Sequence, residues 1–397
     1  DAAAWWCCQT GRVTDFAARV DALTIDDLRS AGSLKWTAYP DAIGAWVAEM
    51  DFGLAPAVAA ALDEIVARRQ TGYAPLRLRT EIKTATAQFV ASRYGWQLDA
   101  QRVHWLPDVL TSLAIVMTHW LPAHSSIIMA TPCYMPFVEM PGAFGHRLVQ
   151  LPMAATETDW QFDLEGLDRE FAAGAKLLVL CNPHNPIGKV YTRPELEQIC
   201  AVVERHGGMV FSDEIHAPLT YPGVRHVPYA TINEVAAAHT VTAMSASKSF
   251  NLAGLKCAQM ILTNDALQDF WTGQGHGLPY ESTPIGMATN IAAYREGGAW
   301  LAEVLDYLAG NRRLVTELVG ELMPQVRMIE PDATFLALLD CRELGLDDPR
   351  QHFLRAGVAL TDGAECGYAG RGHVRLNFAL PRPILRRAVE AMAGSLR

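Results

Sequence analysis

The sequence predicts an α/β fold built on a mostly parallel sheet. Three observations predict it. Short apolar runs such as Lys176 to Cys181 (KLLVLC) and Met209 to Ser212 (MVFS) read as strands buried on both faces. Segments with apolar residues at helical spacing alternate with these runs. Each run then gives way to polar or Pro-rich residues, at the strand ends where open α/β sheets carry their ligand sites.

The elements follow in order. Pro56 to Arg69 has helical spacing and opens with Pro at a first turn, where a missing N–H costs nothing. Thr80 to Tyr94 and Val109 to Trp120 read as two further amphipathic helices. Ser126 to Ala130 is a short strand ending at Thr131-Pro132. After the strand ending at Cys181, Pro194 to His206 is a helix with Thr192 placed to cap it. The strand Met209 to Ser212 ends at Asp213, and Thr240 to Met244 ends at Ser245. Beyond Tyr280 the texture changes. Glu281 to Arg295 and Trp300 to Glu321 are helical, whereas Thr334 to Leu339 and His373 to Ala379 are strand-like. The expected organisation is a large domain over 56–290 and a smaller α+β domain. The latter is discontinuous, made from 1–55, with an N-terminal arm, and 291–397.

With half its residues hydrophobic and 19% charged, the chain can bury a large core, which excludes disorder. Lys and Arg total 33 against 43 Asp and Glu, a net charge of −10, with no long basic run. That balance argues against a nucleic-acid or anionic-membrane partner. The longest apolar runs, such as Val109 to Met117, stop short of the ~20 residues that span a bilayer. The N-terminal residues carry no basic, apolar leader pattern, so a reducing cytoplasm is the expected location. Eight cysteines occur without any C-x-x-C, so no zinc or redox-pair site and no metal is expected. The scattered ones read as buried thiols, and Cys7-Cys8 as an incidental pair in a terminal arm.

Three polar clusters follow three strands: Asn182-Pro-His-Asn-Pro-Ile-Gly188, Asp213-Glu-Ile-His216 and Ser245-Ala-Ser-Lys-Ser-Phe-Asn251. Alone, a Lys is a surface residue and an Asp after a strand is a helix cap. Their weight comes from lying together in an order that one sheet can assemble.

With these clusters stand Trp46-Val-Ala-Glu-Met-Asp-Phe52, Thr71-Gly-Tyr73, Thr131-Pro-Cys-Tyr-Met-Pro-Phe137, a run through Lys256, and His373-Val-Arg-Leu-Asn377. On these landmarks, nearly the whole chain resembles fold-type I pyridoxal-5′-phosphate (PLP) enzymes of the class I/II aminotransferase superfamily. The segments WVAEMDF, NPHNP and DEIH are most similar to its MalY/PatB-like cystathionine β-lyase, or C–S lyase, branch.

The resemblance implies a role for each residue. Lys248 resembles the lysine that joins the cofactor's aldehyde carbon and later moves the substrate's Cα proton. Asp213 resembles the partner of the pyridinium nitrogen, Asn185 the donor to the ring's O3′, and Tyr134 the aromatic stacked on the ring. Val109 and Leu110 (through backbone N–H), Ser245, Ser247 and Lys256 resemble the phosphate cradle. Tyr73 resembles the residue reaching the phosphate from a partner subunit, which implies a homodimer with sites at the subunit interface. Arg375 resembles the clamp for the α-carboxylate, aided by backbone near Ala48. His216 stands where many aminotransferases have a Tyr that contacts O3′ and the C–S lyases have His, so the resemblance implies that it is a neighbour of the cofactor.

Three positions depart from the family pattern, the mildest being Glu49 in place of a usual Asp. Asp108 replaces a small residue at the phosphate end, where its charge repels phosphate unless it caps the Val109 helix. Pro218 replaces an acid. The implied reaction is β-elimination: cystathionine or another S-substituted cysteine yields a thiol, pyruvate and ammonia. An aminotransferase, or a specialised natural-product PLP enzyme, is the alternative, because Lys248, Asp213 and Arg375 serve either reaction. A PLP-binding regulator is disfavoured: too few residues precede Lys35 for a DNA-binding domain, and Lys248 is present. The distal end of the substrate is expected to meet the N-terminal region, the Trp271 to Ser282 stretch and the partner subunit.

Overall fold

The computed structural model describes residues 16–274 and 281–397. Cys7-Cys8 and part of the Trp271 to Ser282 stretch lie outside them. The strands in chain order are β1 (Ile43–Gly44), β2 (Val103–Leu106), β3 (Ser126–Thr131), β4 (Arg147–Pro152), β5 (Ala154–Ala155), β6 (Trp160–Gln161) and β7 (Leu177–Cys181). They continue with β8 (Met209–Asp213), β9 (Thr240–Met244), β10 (Ala258–Leu262), β11 (Leu336–Asp340), β12 (Val358–Ala359), β13 (Thr361–Asp362) and β14 (His373–Asn377).

Seven strands form the central sheet in the order β2-β10-β9-β8-β7-β3-β4. β10 runs antiparallel to β2 and β9, and the pairs from β9 to β4 are parallel. Successive side chains alternate between two cores, as strand geometry requires. Ile127, Met129, Leu177, Val179 and Val241 pack with Leu106, Leu113 and Met117 on one face. Ile128, Ala130, Leu178, Leu180 and Val210 pack with Leu167, Phe171, Leu196 and Ile199 on the other. Both faces are covered, which is why these strands are continuously apolar. Each fully buried Leu, Ile or Val stabilises the fold by roughly 1.5–3 kcal/mol.

The helices keep their expected places with adjusted ends. The second begins earlier, at Leu76. The third is α-helical over Val109–Ile115 and continues as a π turn over Val116–Trp120. Thr192 caps the Arg193–Arg205 helix in a reciprocal box with Glu195. Among the described residues, no helix is long and apolar enough to cross a membrane. The six described cysteines are free and buried.

Beyond residue 297, β11, β14 and β13 form an antiparallel sheet with the long Gly298–Leu322 helix and the Arg382–Gly394 helix beside it. The N-terminal segment joins it: β1 pairs in parallel with β12, and Asn377 N donates to Ala45 O at 2.8 Å. Residue 290, where the sequence texture suggests a boundary, lies inside the Pro284–Glu296 helix. That helix packs on the Pro56–Ala67 and Leu76–Tyr94 helices, so the chain passes onward at Gly297. Asn290 is buried there, and its Oδ1 accepts from Ala246 N at 3.2 Å, bracing the turn that carries Lys248.

Candidate active site

Four neighbouring parallel strands, β3, β7, β8 and β9, deliver their C-terminal residues to one side of the sheet. Tyr134 follows β3, Asn185 follows β7, Asp213 ends β8 and Lys248 follows β9. They meet in a cavity of about 160 Å³ whose wall also includes Asp108, Val109, Leu110, Cys181, His216, Ser245, Ser247 and Lys256. The polar residues that the sequence scatters between Asp108 and Lys256 are thus brought together by strand order.

The turn after β7 is held open for this purpose. Gly188 adopts φ +70°, and a Cβ there would lie 2.2 Å from Pro331, so only Gly fits. Its N–H donates to His184 O at 2.7 Å, closing the NPHNPIG turn around Asn185. Asn185 is buried, and its Oδ1 accepts from Arg375 Nη1 at 3.2 Å. That leaves its amide N–H groups for the cavity.

Asp213 is buried, with Oδ1 accepting from Ile215 N at 3.1 Å. Burial raises its carboxyl to about 7, against the opposing pull of that hydrogen bond. Cys181 Sγ lies 3.7 Å from Asp213 Oδ2, because the two residues are paired across β7 and β8. Sequence reasoning missed Cys181; only the register of two parallel strands reveals it.

Lys248 is half-buried, and its Nζ donates to Ala48 O at 3.1 Å. Burial, with repulsion from Arg375, lowers its amine to about 8. A substantial neutral fraction is therefore present near neutral pH, as a nucleophile or base needs. His216 lies 2% exposed, and its Nδ1 makes no hydrogen bond among the described residues. Burial and the nearby cations Lys248 and Arg375 push it down to about 3, so the imidazole is neutral. Tyr134 is half-buried and packs edge-on to Phe137 at 5.4 Å.

Arg375 lies at the centre of β14, opposite Leu338 on β11 and Thr361 on β13, and is only 2% exposed. Its Nη2 donates to Trp46 O at 2.8 Å and Thr361 Oγ1 at 3.1 Å, while Nε has no partner among the described residues. The Trp46–Phe52 segment therefore touches both Arg375 and Lys248. It is pinned from several sides. Asn377 Nδ2 donates to Val47 O and Glu49 O at 2.6 and 2.7 Å, and Asn251 Oδ1 accepts from Met50 N at 2.9 Å. Beneath it, fully buried Lys35 bonds Asp51 Oδ2 at 3.0 Å, a pair that spacing along the chain does not announce.

The phosphate-like end is more open. Asp108 Oδ1 accepts from Thr111 N and Oγ1, both at 2.8 Å, so it does cap the Val109 helix. Its Oδ2 holds Lys256 Nζ at 3.0 Å, so the expected free cation is paired with a carboxylate. Ser245 Oγ donates to Cys257 O at 2.6 Å and accepts from Ser247 N at 3.0 Å. Its proton is thereby committed to the protein. Tyr73 lies 92% exposed and apart from this cavity. Pro218 is buried in a short turn, where its carbonyl accepts from Arg93 Nη2 at 2.7 Å. Glu214, beside Asp213, lies outside the cavity wall and accepts from His226, Ser212 and Tyr229 N at 2.9–3.0 Å.

Sheet order, strand-end residues and the Lys–Asp–Arg constellation together define a class of enzyme. The chain belongs to the family Aminotransferase class I and II, which it matches over residues 46–392. Within that family it is 32% identical to cystathionine beta-lyase of Corynebacterium glutamicum, over 94% of this chain and 99% of that one. It is 30% identical to cystathionine beta-lyase PatB of Bacillus subtilis, over 90% and 93%. Among solved structures it superposes on the PLP-bound C-S lyase from Staphylococcus hominis with a TM-score of 0.88 and 26% identity, covering 94% of this chain and 98% of that one.

Proposed function

We propose that this chain is a PLP-dependent carbon–sulfur β-lyase. It takes cystathionine or another S-substituted cysteine and water to a thiol, pyruvate and ammonia. The observation that carries the proposal is the single cavity that gathers Lys248, Asp213, Asn185 and Tyr134, with Arg375 bonded to Asn185 at its edge. The residues fit the cofactor. Asp213 is a buried carboxyl with no cation hydrogen-bonded to it among the described residues, suited to a protonated ring nitrogen. Asn185 keeps its donors free, and Tyr134 offers a ring face. Ser247, Lys256 and the N–H groups of Val109 and Leu110 line the end for phosphate. Bound PLP supplies the electron sink that lets a Cα carbanion form.

The chain's own groups do the rest. Lys248 Nζ would hold the cofactor, and its amine, lowered to about 8, would serve as the base that moves the substrate's Cα proton. Arg375 holds the α-carboxylate with its unpartnered Nε–H and the fork beside it. Ala48 O, which binds Lys248 Nζ in the free chain, keeps that amine on the side of Arg375. Neutral His216 adds no charge that would oppose the Asp213 contact.

Tyr73 is too far exposed to serve its own cavity, so we assign the second copy of the chain as the partner, in a homodimer. The cytoplasm is the proposed location. The chain divides into a sheet-bearing unit and a smaller unit from both ends, for which β1–β12 pairing is the support.

Purified protein incubated with cystathionine should release free thiol and pyruvate without any keto acid. Dependence on a keto acid would overturn the lyase reading in favour of amino transfer. Lys248→Ala should lose turnover together with the visible absorption of bound PLP; full turnover in that variant would sink the site.

A further inference from the structure

We infer that Asp108 is a counter-charge that weakens this chain's hold on the phosphate of its cofactor; this rests on the PLP reading above. Asp108 lies in the cavity wall with Ser247 and Lys256. Its carboxylate has two engagements at once. Oδ1 is fixed by Thr111 N and Oγ1, both at 2.8 Å, and Oδ2 holds Lys256 Nζ at 3.0 Å. The Thr111 contacts anchor the side chain, so the negative charge stays at the wall when a ligand arrives.

The consequence is electrostatic. Lys256 alone would present one positive charge; with Asp108 the pair presents none. A phosphate group carries roughly −1.5 to −2 at neutral pH, so it meets no net charge from this pair. Both side chains keep solvent contact, 37% for Asp108 and 54% for Lys256, which screens the effect to a moderate size. Cofactor retention then depends on the buried contacts at Lys248 and Asp213, and the phosphate end favours exchange over permanent capture.

The test uses cofactor-free protein titrated with PLP and, separately, with pyridoxal, which has the same ring and aldehyde but no phosphate. Asp108→Asn preserves the shape and the acceptor for Thr111 while removing the charge. It should tighten PLP about tenfold and slow its release, leave pyridoxal within about twofold, and lose most of that gain in high salt. Asp108→Ser, which retains a capping hydroxyl, should move PLP affinity in the same direction. Unchanged or weaker PLP binding in both variants, or an equal gain for pyridoxal, would overturn the inference. Failure of the unmodified chain to bind either compound would instead overturn the PLP reading, and this inference with it.

Discussion

At one end of the cavity, Asp213 and His216 in its wall and Arg375 at its edge are sealed from solvent; at the other, Asp108 and Lys256 keep 37% and 54% of their side chains exposed. Both ends are lined with charge, but the charges behave differently. In the sealed end, desolvation dominates: it lifts Asp213 to about 7, lowers Lys248 to about 8 and leaves His216 neutral. In the open end, Asp108 and Lys256 find each other and water moderates the outcome. The contrast teaches that a substitution's effect here should scale with burial more than with formal charge.

The sealed end should therefore give the largest losses. Asp213→Asn keeps the volume and removes the charge that a ring cation needs. We expect kcat/KM for β-elimination to fall roughly a thousandfold, read by thiol release at saturating PLP. A loss under about tenfold would break the contrast with Asp108. Arg375→Lys comes next. A lysine keeps one positive charge but cannot hold Trp46 O, Thr361 and a carboxylate together. The expected result is roughly a hundredfold lower kcat/KM, carried mainly by a higher KM for substrate. A kcat effect with unchanged KM would remove Arg375 from carboxylate binding.

Much of the cavity was legible in the sequence because its polar clusters begin where strands end. Asn182, Asp213 and Ser245 mark where apolar runs stop, and the β3-β7-β8-β9 order carries those stops to one edge. What depended on pairing was not legible. Cys181 is one more apolar strand residue until its register with Asp213 is known. The half-exposed edge strand β4 has no continuous apolar run to mark it, and β10 directly follows the Lys256 motif, so its own run reads as part of that loop. Lys35 and Asp51 are 16 residues apart, a spacing that belongs to no local pattern, and only the fold makes them a buried pair. Asp108 lies between these cases: its conflict with phosphate was visible, but its bond to Lys256 was not. The texture change near residue 290 reflected composition, while packing keeps the Pro284–Glu296 helix with the helices before it.

A subtler consequence of the sealed end concerns the cofactor-free chain's response to acid. His216 is about 3 when folded and near 6.5 when unfolded, so between those values the unfolded state binds a proton that the folded state refuses. The stability it contributes is present above pH 6.5 and is lost as pH falls. Asp213 acts in the opposite sense. Its raised carboxyl binds a proton more tightly when folded, so its contribution is present below about 3.8 and lost as pH rises through about 7. Between pH 4.5 and 5.5 these two slopes oppose each other, and buried His184, lowered by burial to about 4, adds to the side of His216. The net expectation is a fall in stability on acidification across that window. His216→Gln should flatten it by about 1.4 kcal/mol per pH unit, measured by urea unfolding. An unaltered slope in His216→Gln would mean that this imidazole takes up its proton in the folded chain, and that the end of the cavity around it is open to water after all.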